Sequence, residues 1–405
     1  MKHLGDITKI NGAEAPVVNV IIGGSPCQDL SLAGKRKGLT GERSGLFMEQ
    51  LRIIKEMREA DEARGRTDEH IRPRFMVWEN VPGAFSTNGG KDFGAVLHET
   101  VKIVCHNAPP VPMLGNKWAK SGCLVDVDGK WSIAWRVFDA QFWGVPQRRR
   151  RIALVADFGG LAAPEILFER ESVSRNFEES GTAWKRTIRF AETSSDGTGD
   201  GDDRPRMIFG FSANASSKAG SLGEAFEQAP TLLGSRHDAR VAWGQSAYDE
   251  YVSTDKASTL KARGGSYNGG SETLIQNVNR IRRLTPLECE RLQGFPDFWT
   301  DIGEWTDSKG KLHKESSDSA RYKALGNSIA LPSWFYVLSK LSEFCEEKTM
   351  ASLFDGIGGF SLIWETLNGK GSCLWASEIE EFPIAVTKHH FPDEEAEEGG
   401  NGEKL

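Results

Sequence analysis

The chain has 405 residues, 39% of them hydrophobic and 26% charged, with a formal net charge of −7. That is enough apolar material for two domains, or for one large domain carrying an insertion. No apolar run approaches the ~20 residues that cross a bilayer, the first residues lack a signal-peptide pattern, and the six cysteines show neither CxxC pairs nor Cys/His ligand spacing. A cytoplasmic protein with reduced thiols, no membrane partner, no disulfide framework and no structural metal is expected.

The acidic balance argues mildly against nucleic acid as a partner, but the distribution of charge matters more than its sum. Basic runs occur at Lys35-Arg36-Lys37, at Arg148 to Arg151 and at Arg280, Arg282 and Arg283, each beside another candidate motif. Acid concentrates at Asp196 to Asp203 and at Asp393 to Glu403, which read as a solvated loop and an acidic tail.

In chain order, the β-branched run Val17 to Ile22 predicts a strand and Leu46 to Ala60 an amphipathic helix. Phe75 to Trp78, Trp131 to Phe138 and Arg151 to Ala156 predict further strands, so residues 1–157 follow the alternation of a mostly parallel α/β sheet. From 158 to about 279, Gly, Ser, Asp and Asn become common and helical periodicity fades, which marks a smaller, loop-rich domain. Thr285-Pro286 predicts a helix start before Leu287 to Leu292, and a second helix is expected over Leu331 to Cys345. The strand, glycine turn and helix grammar then resumes at 348–392, ahead of a tail at 393–405.

In this last region Ala351 to Phe354 and Asp355-Gly356-Ile357-Gly358-Gly359 read as a strand entering a glycine turn, and Cys373 to Ala376 as the next strand, tipped by Glu378. Glycines let a nucleoside approach the strand end while an acid at the neighbouring tip accepts from ribose hydroxyls. The dinucleotide fingerprint is incomplete and no P-loop Lys follows, so a cofactor without phosphates is expected. Such a block ordinarily opens an α/β sheet and here it comes near the end. His3 to Ile7 reads as a strand end awaiting a preceding helix, and the termini of one domain often lie close together, so a circularly permuted order is expected.

Polar groups recur at the expected strand ends. In Gly23-Gly24-Ser25-Pro26-Cys27-Gln28 a thiol follows a strand on a turn whose glycines permit positive φ and whose proline restricts it, a setting suited to a nucleophile. Glu79 lies between a strand and the Pro82 turn, where partial desolvation would raise its pKa as a proton donor requires, although a surface Glu in a turn would look the same. Alternate arginines around Arg149 and Arg151 would point to one side and orient a carboxylate or hold phosphate.

Six segments together carry a resemblance: Gly24-Ser25-Pro26-Cys27-Gln28, Glu79-Asn80-Val81, Gln147 to Arg151, Arg283-Leu284-Thr285-Pro286 with Gln293-Gly294-Phe295-Pro296, Gly326-Asn327-Ser328, and Phe354 to Gly359. They resemble the signature blocks of the DNA cytosine-5 methyltransferases, in particular the phage and bacterial type, across nearly the whole chain apart from the variable domain and tail. The glycine block that normally comes first here comes last.

The resemblance implies a doubly wound, mostly parallel α/β sheet of the S-adenosylmethionine-dependent methyltransferase fold with a smaller target-recognition domain at 158–279, and a helical return to the catalytic domain at 280–347. It implies that Cys27 attacks carbon 6 of a flipped-out cytosine, that Glu79 serves N3, and that Arg149 and Arg151 position both, with Gln147 structural. S-adenosylmethionine would be held by Phe354, Asp355, Gly356, Ile357, Gly358 and Gly359, by Glu378 and Ile379, by Asp6 and Ile7 at the adenine, and by Pro26, Leu46, Asn327 and Ser328.

Lys35, Arg36 and Lys37 would lie on a mobile loop over double-stranded DNA, and Thr259-Leu260, with Thr231-Leu232 competing, would mark the recognition domain. A monomer is expected, with a restriction endonuclease as an associated partner. RNA methylation by a related branch of the family, and DNA binding without turnover, are the alternatives. The large variable domain speaks against the first, and the intact Cys27 and Glu79 against the second.

Overall fold

The computed structural model describes residues 1–25, 45–113, 116–168, 210–212, 223–225, 241–247, 250–254, 257, 273–277 and 280–393. In chain order the elements are β1 (Lys2–His3), β2 (Val20–Gly23), α1 (Leu46–Ala63), β3 (Phe75–Asn80), α2 (Lys91–Val101), β4 (Ser121–Val125), β5 (Ser132–Asp139), β6 (Arg150–Asp157) and α3 (Ala162–Leu167). There follow β7 (Gly210–Ser212), β8 (Gly223–Ala225), β9 (Val241–Ala247), β10 (Glu250–Thr254), β11 (Thr273–Asn277), β12 (Arg280–Arg283), α4 (Pro286–Gln293), β13 (Trp305–Thr306), β14 (Leu312–His313) and α5 (Asp318–Asn327). The chain continues through α6 (Leu331–Glu343), β15 (Met350–Leu353), α7 (Gly359–Asn368), β16 (Cys373–Ser377) and α8 (Glu381–His390).

Eight strands form one sheet in the order β1-β16-β15-β2-β3-β6-β5-β4. Neighbours from β1 to β3 run parallel, β6 is antiparallel to β3, and β4 is antiparallel to β5. The central strands are apolar without alternation: Ile21, Met76 and Leu154 pack into the main core cluster with Phe47, Ile53, Ile54 and Met57 of α1 and Phe93, Val96 and Leu97 of α2. Their alternates Ile22, Val77 and Val155 are equally buried, so both faces of the sheet are covered. This is the doubly wound, mostly parallel α/β architecture.

Strand order reverses between β15 and β2, which are adjacent and parallel with Leu353 opposite Gly23. A crevice at the carboxyl ends of such a pair is where open α/β sheets take ligands. The first residues complete the same sheet from its other side. Lys2 and His3 pair with Trp375 and Ala376, and the backbone N–H of Leu4 donates to Ala376 at 2.8 Å.

The chain divides into two compact units. One comprises Met1–Phe138, Arg150–Asn176 and Trp334–Leu405, the other Asp139–Arg149 and Phe177–Ser333. The described part of the second unit contains the antiparallel sheet β10-β9-β11-β12 and the pair of helices α4 and α5. Thr285 caps α4 in a reciprocal capping box with Glu288, Pro286 occupies the first turn, and Gly294 ends the helix at φ +80°. The buried Glu290 carboxylate accepts from the backbone of Phe298 and Thr300 at 2.9 Å each and pairs with Arg321 of α5 at 3.2 Å. A buried carboxylate needs such partners, and meeting the need ties 286–293 to 318–327 within this unit. Among the described residues no helix is long and apolar enough to cross a membrane, and no cluster of side chains is arranged to hold a metal ion.

Candidate active site

β2 ends in the turn Gly23-Gly24-Ser25, and the chain beneath it holds that turn from two sides. Trp78 Nε1 donates to Ser25 Oγ at 3.0 Å, Asn80 Nδ2 donates to the Ser25 carbonyl at 2.9 Å, and Asn80 Oδ1 accepts from the Val81 backbone at 2.8 Å. From α1, the buried Gln50 donates to the Val77 carbonyl at 3.2 Å. A Cβ on Gly23 would stand 2.7 Å from Gln50 Oε1, and one on Gly24 2.9 Å from Glu79 Oε2. A side chain at either position would therefore have to push the end of Gln50 or of Glu79 aside. Pro26, Cys27, Lys35, Arg36 and Lys37, together with Thr231, Leu232, Thr259 and Leu260, lie outside the described residues.

Glu79 stands near the end of β3, and its Oε1 pairs with Arg151 Nε at 2.7 Å, the side chains being 14% and 15% exposed. The pair is thus largely sheltered from solvent. Ala153, on β6, is opposite Glu79 in the ladder, so Arg151 comes from the strand next to β3. Arg149 behaves differently. It precedes β6, is 2% exposed, and its Nη2 donates to the carbonyls of Gly326, at 3.1 Å, and Ser328. The period-two alternation that would aim both arginines at one target does not reach a residue outside the strand. Arg149 thus orders the Gly326-Asn327-Ser328 segment at the end of α5, inside the second unit. Gln147 is fully buried, with neither amide atom partnered among the described residues.

The glycine turn follows β15. Phe354, Gly356 and Gly358 have φ of +55°, +58° and +77°. A Cβ on Gly358 would strike Phe391 at 2.8 Å, whereas one on Gly356 would meet nothing within 4 Å. Gly356 thus exposes bare backbone to open space, as a nucleoside approaching the strand end requires. Its N–H donates to Glu378 Oε2 at 2.9 Å, while Glu378 Oε1 accepts from the backbone of Ile379 at 2.7 Å and of Glu380 at 2.9 Å. These bonds fix the carboxylate beside the turn.

Asp355 points inward, with Oδ1 accepting from Ser361 Oγ at 3.0 Å and Oδ2 without a partner among the described residues. Burial pushes its carboxyl up to about 7, with Glu378 adding repulsion. Ile357 is buried, Gly359 begins α7, and Ile379 is 70% exposed.

Asp6 follows β1 at the end where Glu378 follows β16, and the Ser377 hydroxyl donates to the Gly5 carbonyl at 2.7 Å between them. The Asp6 carboxylate accepts from the Thr8 backbone and hydroxyl, which holds its pKa below the ordinary value. Ile7 is buried, and Leu46, the first residue of α1, packs against the main core cluster. Gln50 and Asn80 were not singled out in the sequence as supports of the turn. A polar residue amid the apolar positions of α1 is the signal that could have flagged Gln50.

Burial pushes the thiols of Cys289 and Cys345 up to about 12 and that of Cys373 higher still, so none of these three supplies a thiolate near neutral pH.

A two-faced, mostly parallel sheet with a glycine turn and an acid-tipped neighbour at its switch point is the architecture of an α/β enzyme that takes a nucleoside-bearing cofactor. A model of the family described as C-5 cytosine-specific DNA methylase matches residues 1–106 and 124–343, and the chain belongs to that family. Among curated relatives it is similar to a protein of Escherichia phage P1 named DNA N-6-adenine-methyltransferase, at 26% identity, covering 85% of this chain and 56% of that protein. It is also similar to the Type II methyltransferase M1.ScrFI of Lactococcus lactis subsp. cremoris, at 28% identity over 85% of this chain and 67% of the relative. The chain thus spans about half to two thirds of the length of these relatives. Among solved structures, the Dnmt2 methyltransferase of S. pombe is similar at 16% identity and a TM-score of 0.42, over 84% of this chain and 83% of that one. The methyl donor of the family is S-adenosylmethionine, and the bare Gly356 backbone with the fixed Glu378 carboxylate fits its nucleoside half.

Proposed function

We propose that the protein methylates carbon 5 of a cytosine in double-stranded DNA, with Cys27 as nucleophile. The observation that carries this reading is that the turn leading to Cys27 and the glycine turn leave adjacent parallel strands, β2 and β15, at the switch point of one sheet. That arrangement supports bringing a thiolate and a methyl donor to one base.

Carbon 5 of cytosine is a weak nucleophile. The Cys27 thiolate would add to carbon 6; the C5–C6 π pair shifts to C4–C5 and the C4–N3 pair to N3, leaving an enamine whose carbon 5 would take the methyl group as the C–S pair departs on the donor's sulfur. Loss of the carbon 5 proton to a base then drives out the thiolate and restores the C5–C6 double bond. As the electron pair reaches N3, Glu79 gives it a proton, which returns when the C5–C6 double bond is restored, and Arg151 holds the Glu79 carboxyl through its other oxygen.

S-adenosylmethionine supplies an electrophilic methyl group on sulfonium. Its holders are Phe354 to Gly359, Glu378 at the ribose, Ile379, Asp6 and Ile7 at the adenine, and Pro26, Leu46, Asn327 and Ser328 around them. The base must leave the duplex, which costs a few kcal/mol. Lys35, Arg36 and Lys37 close over the DNA, residues 158–279 read its sequence, and a restriction endonuclease is the associated partner.

The chain is a circular permutation of the family order. Three observations support this: the glycine block lies after residue 343, where the family match ends, β15 nonetheless inserts between β16 and β2, and β1 docks on β16. The test of the activity is mass spectrometry of nucleosides from duplex DNA treated with the protein and S-adenosylmethionine. 5-Methylcytosine in one sequence context is the expected product. Methyl label confined to adenine, or to RNA, would overturn the reading.

A further inference from the structure

β4 is one of the two edge strands of the eight-stranded sheet, β1 being the other. Toward β5, the Lys120 carbonyl accepts from Val137 at 2.9 Å and the Asp126 N–H donates to Trp131 at 3.0 Å. Hydrogen-bonded positions alternate along an antiparallel ladder, so Gly122 and Leu124 share this inward orientation. The N–H and C=O groups of Ser121, Cys123 and Val125 therefore point outward, and among the described residues no strand lies beyond them. The side chains at these three positions are exposed, Val125 by 53%, and Val127 just beyond is 98% exposed. An edge of this kind, neither bulged nor occupied by charge, is a template for another strand.

The geometry points to a second copy of this chain as the partner of that edge, the two β4 strands pairing antiparallel about Cys123. The outward residues are symmetric about that position. In this register Cys123 faces Cys123 of the copy and Ser121 faces Val125, so every outward backbone group of the strand finds a partner, with two hydrogen bonds in each pair. A shift of two residues strands one of the three.

Charge agrees with the register. Lys120 comes opposite Asp126 of the copy, and the dyad repeats the contact in reverse, so both strand ends close on opposite charges. The Asp126 carboxylate is already fixed at the end of the strand, its Oδ2 accepting from the Lys130 backbone at 3.1 Å. A five-residue strand buries less than the ~1,200 Å² of a standard interface, so the association is weak and concentration-dependent. It replaces the monomer expected from the sequence. Because β3, β6 and β5 separate β4 from β2, the proposed catalytic strand ends stay open in the dimer.

Mild oxidation, or a short thiol-reactive bis-maleimide, should trap a Cys123–Cys123 dimer, since facing Cα atoms at ~5.5 Å in such a pair fall within disulfide range. In a Cys123→Ser background, Ser121→Cys alone should not crosslink, whereas Ser121→Cys combined with Val125→Cys should. Cys123→Pro removes an outward N–H without touching the β5 ladder, so it should fold, keep methyl transfer and sediment as a monomer at concentrations where the wild type shows added mass. Wild-type monomer throughout that range, a dimer that survives Cys123→Pro, or crosslinking of Ser121→Cys to itself as readily as Cys123 would each overturn the proposal.

Discussion

The backbone of Gly24 lies against the Glu79 carboxylate: a single methyl group on Gly24 would stand 2.9 Å from Glu79 Oε2. The carboxylate that Arg151 grips from one side is thus backed on the other by bare backbone, and its position belongs to both strands β2 and β3.

Gly24→Ala should displace the Glu79 carboxylate while leaving the sheet folded. A misplacement of ~1 Å near the chemistry costs on the order of 100-fold in rate. The expected result is a fall in kcat of about that size with an unchanged melting temperature, measured by methyl incorporation into DNA and by calorimetry.

The two arginines should separate by phenotype. Arg151→Leu removes the partner of Glu79 and should lower kcat about 100-fold or more with cofactor affinity retained. Arg149→Leu leaves the carbonyls of Gly326 and Ser328 short of a donor, at about 1–3 kcal/mol for each buried group left unsatisfied. It should lower stability and weaken binding of S-adenosylhomocysteine, both read by titration calorimetry and thermal melting.

Asp355 makes stability depend on pH in an unusual direction. Its carboxyl is raised by burial to about 7, so the folded protein holds this proton more tightly than the unfolded chain does. The stabilisation is fully present below about pH 4 and is lost as pH rises through 7. Asp355→Asn keeps an acceptor for Ser361 and does not titrate. It should melt close to the wild type near pH 4 and above it at pH 8, and parallel curves across that range would contradict the assignment.

Reordering tests the permutation. A chain running from 348 to 393 and then from 1 to 347 keeps every ladder pair of the eight-stranded sheet. The Met1 ammonium already donates to the Pro392 carbonyl at 3.1 Å, so the new junction needs little extra chain. Such a protein should fold and transfer methyl within about tenfold of the wild type, as circular dichroism and an activity assay would report.

Much of this was legible because apolar runs report burial directly. Val17 to Ile22, Phe75 to Trp78, Trp131 to Phe138 and Cys373 to Ala376 fall on β2, β3, β5 and β16, and the Thr285-Pro286 start falls on a capping box. Local pattern fails where tertiary context decides. α2 and α5 went unmarked, α5 because an ion pair to Glu290 holds a helix whose own apolar face is weak. β4 alternates exposed and half-buried residues around a glycine, so its sequence looks like loop. The close approach of Gln50 to Gly23 and of Glu79 to Gly24 is set by strand spacing, which no single segment encodes.

The most direct test of the central claim is to mix the protein with S-adenosylmethionine and duplex DNA carrying 5-fluorocytosine at the methylated position, where fluorine blocks the last elimination. A denaturation-resistant complex whose peptide mass places the methylated base on Cys27, lost in Cys27→Ala, is the predicted result. Methyl transfer to DNA with no covalent complex, or a complex that persists in Cys27→Ala, would contradict it.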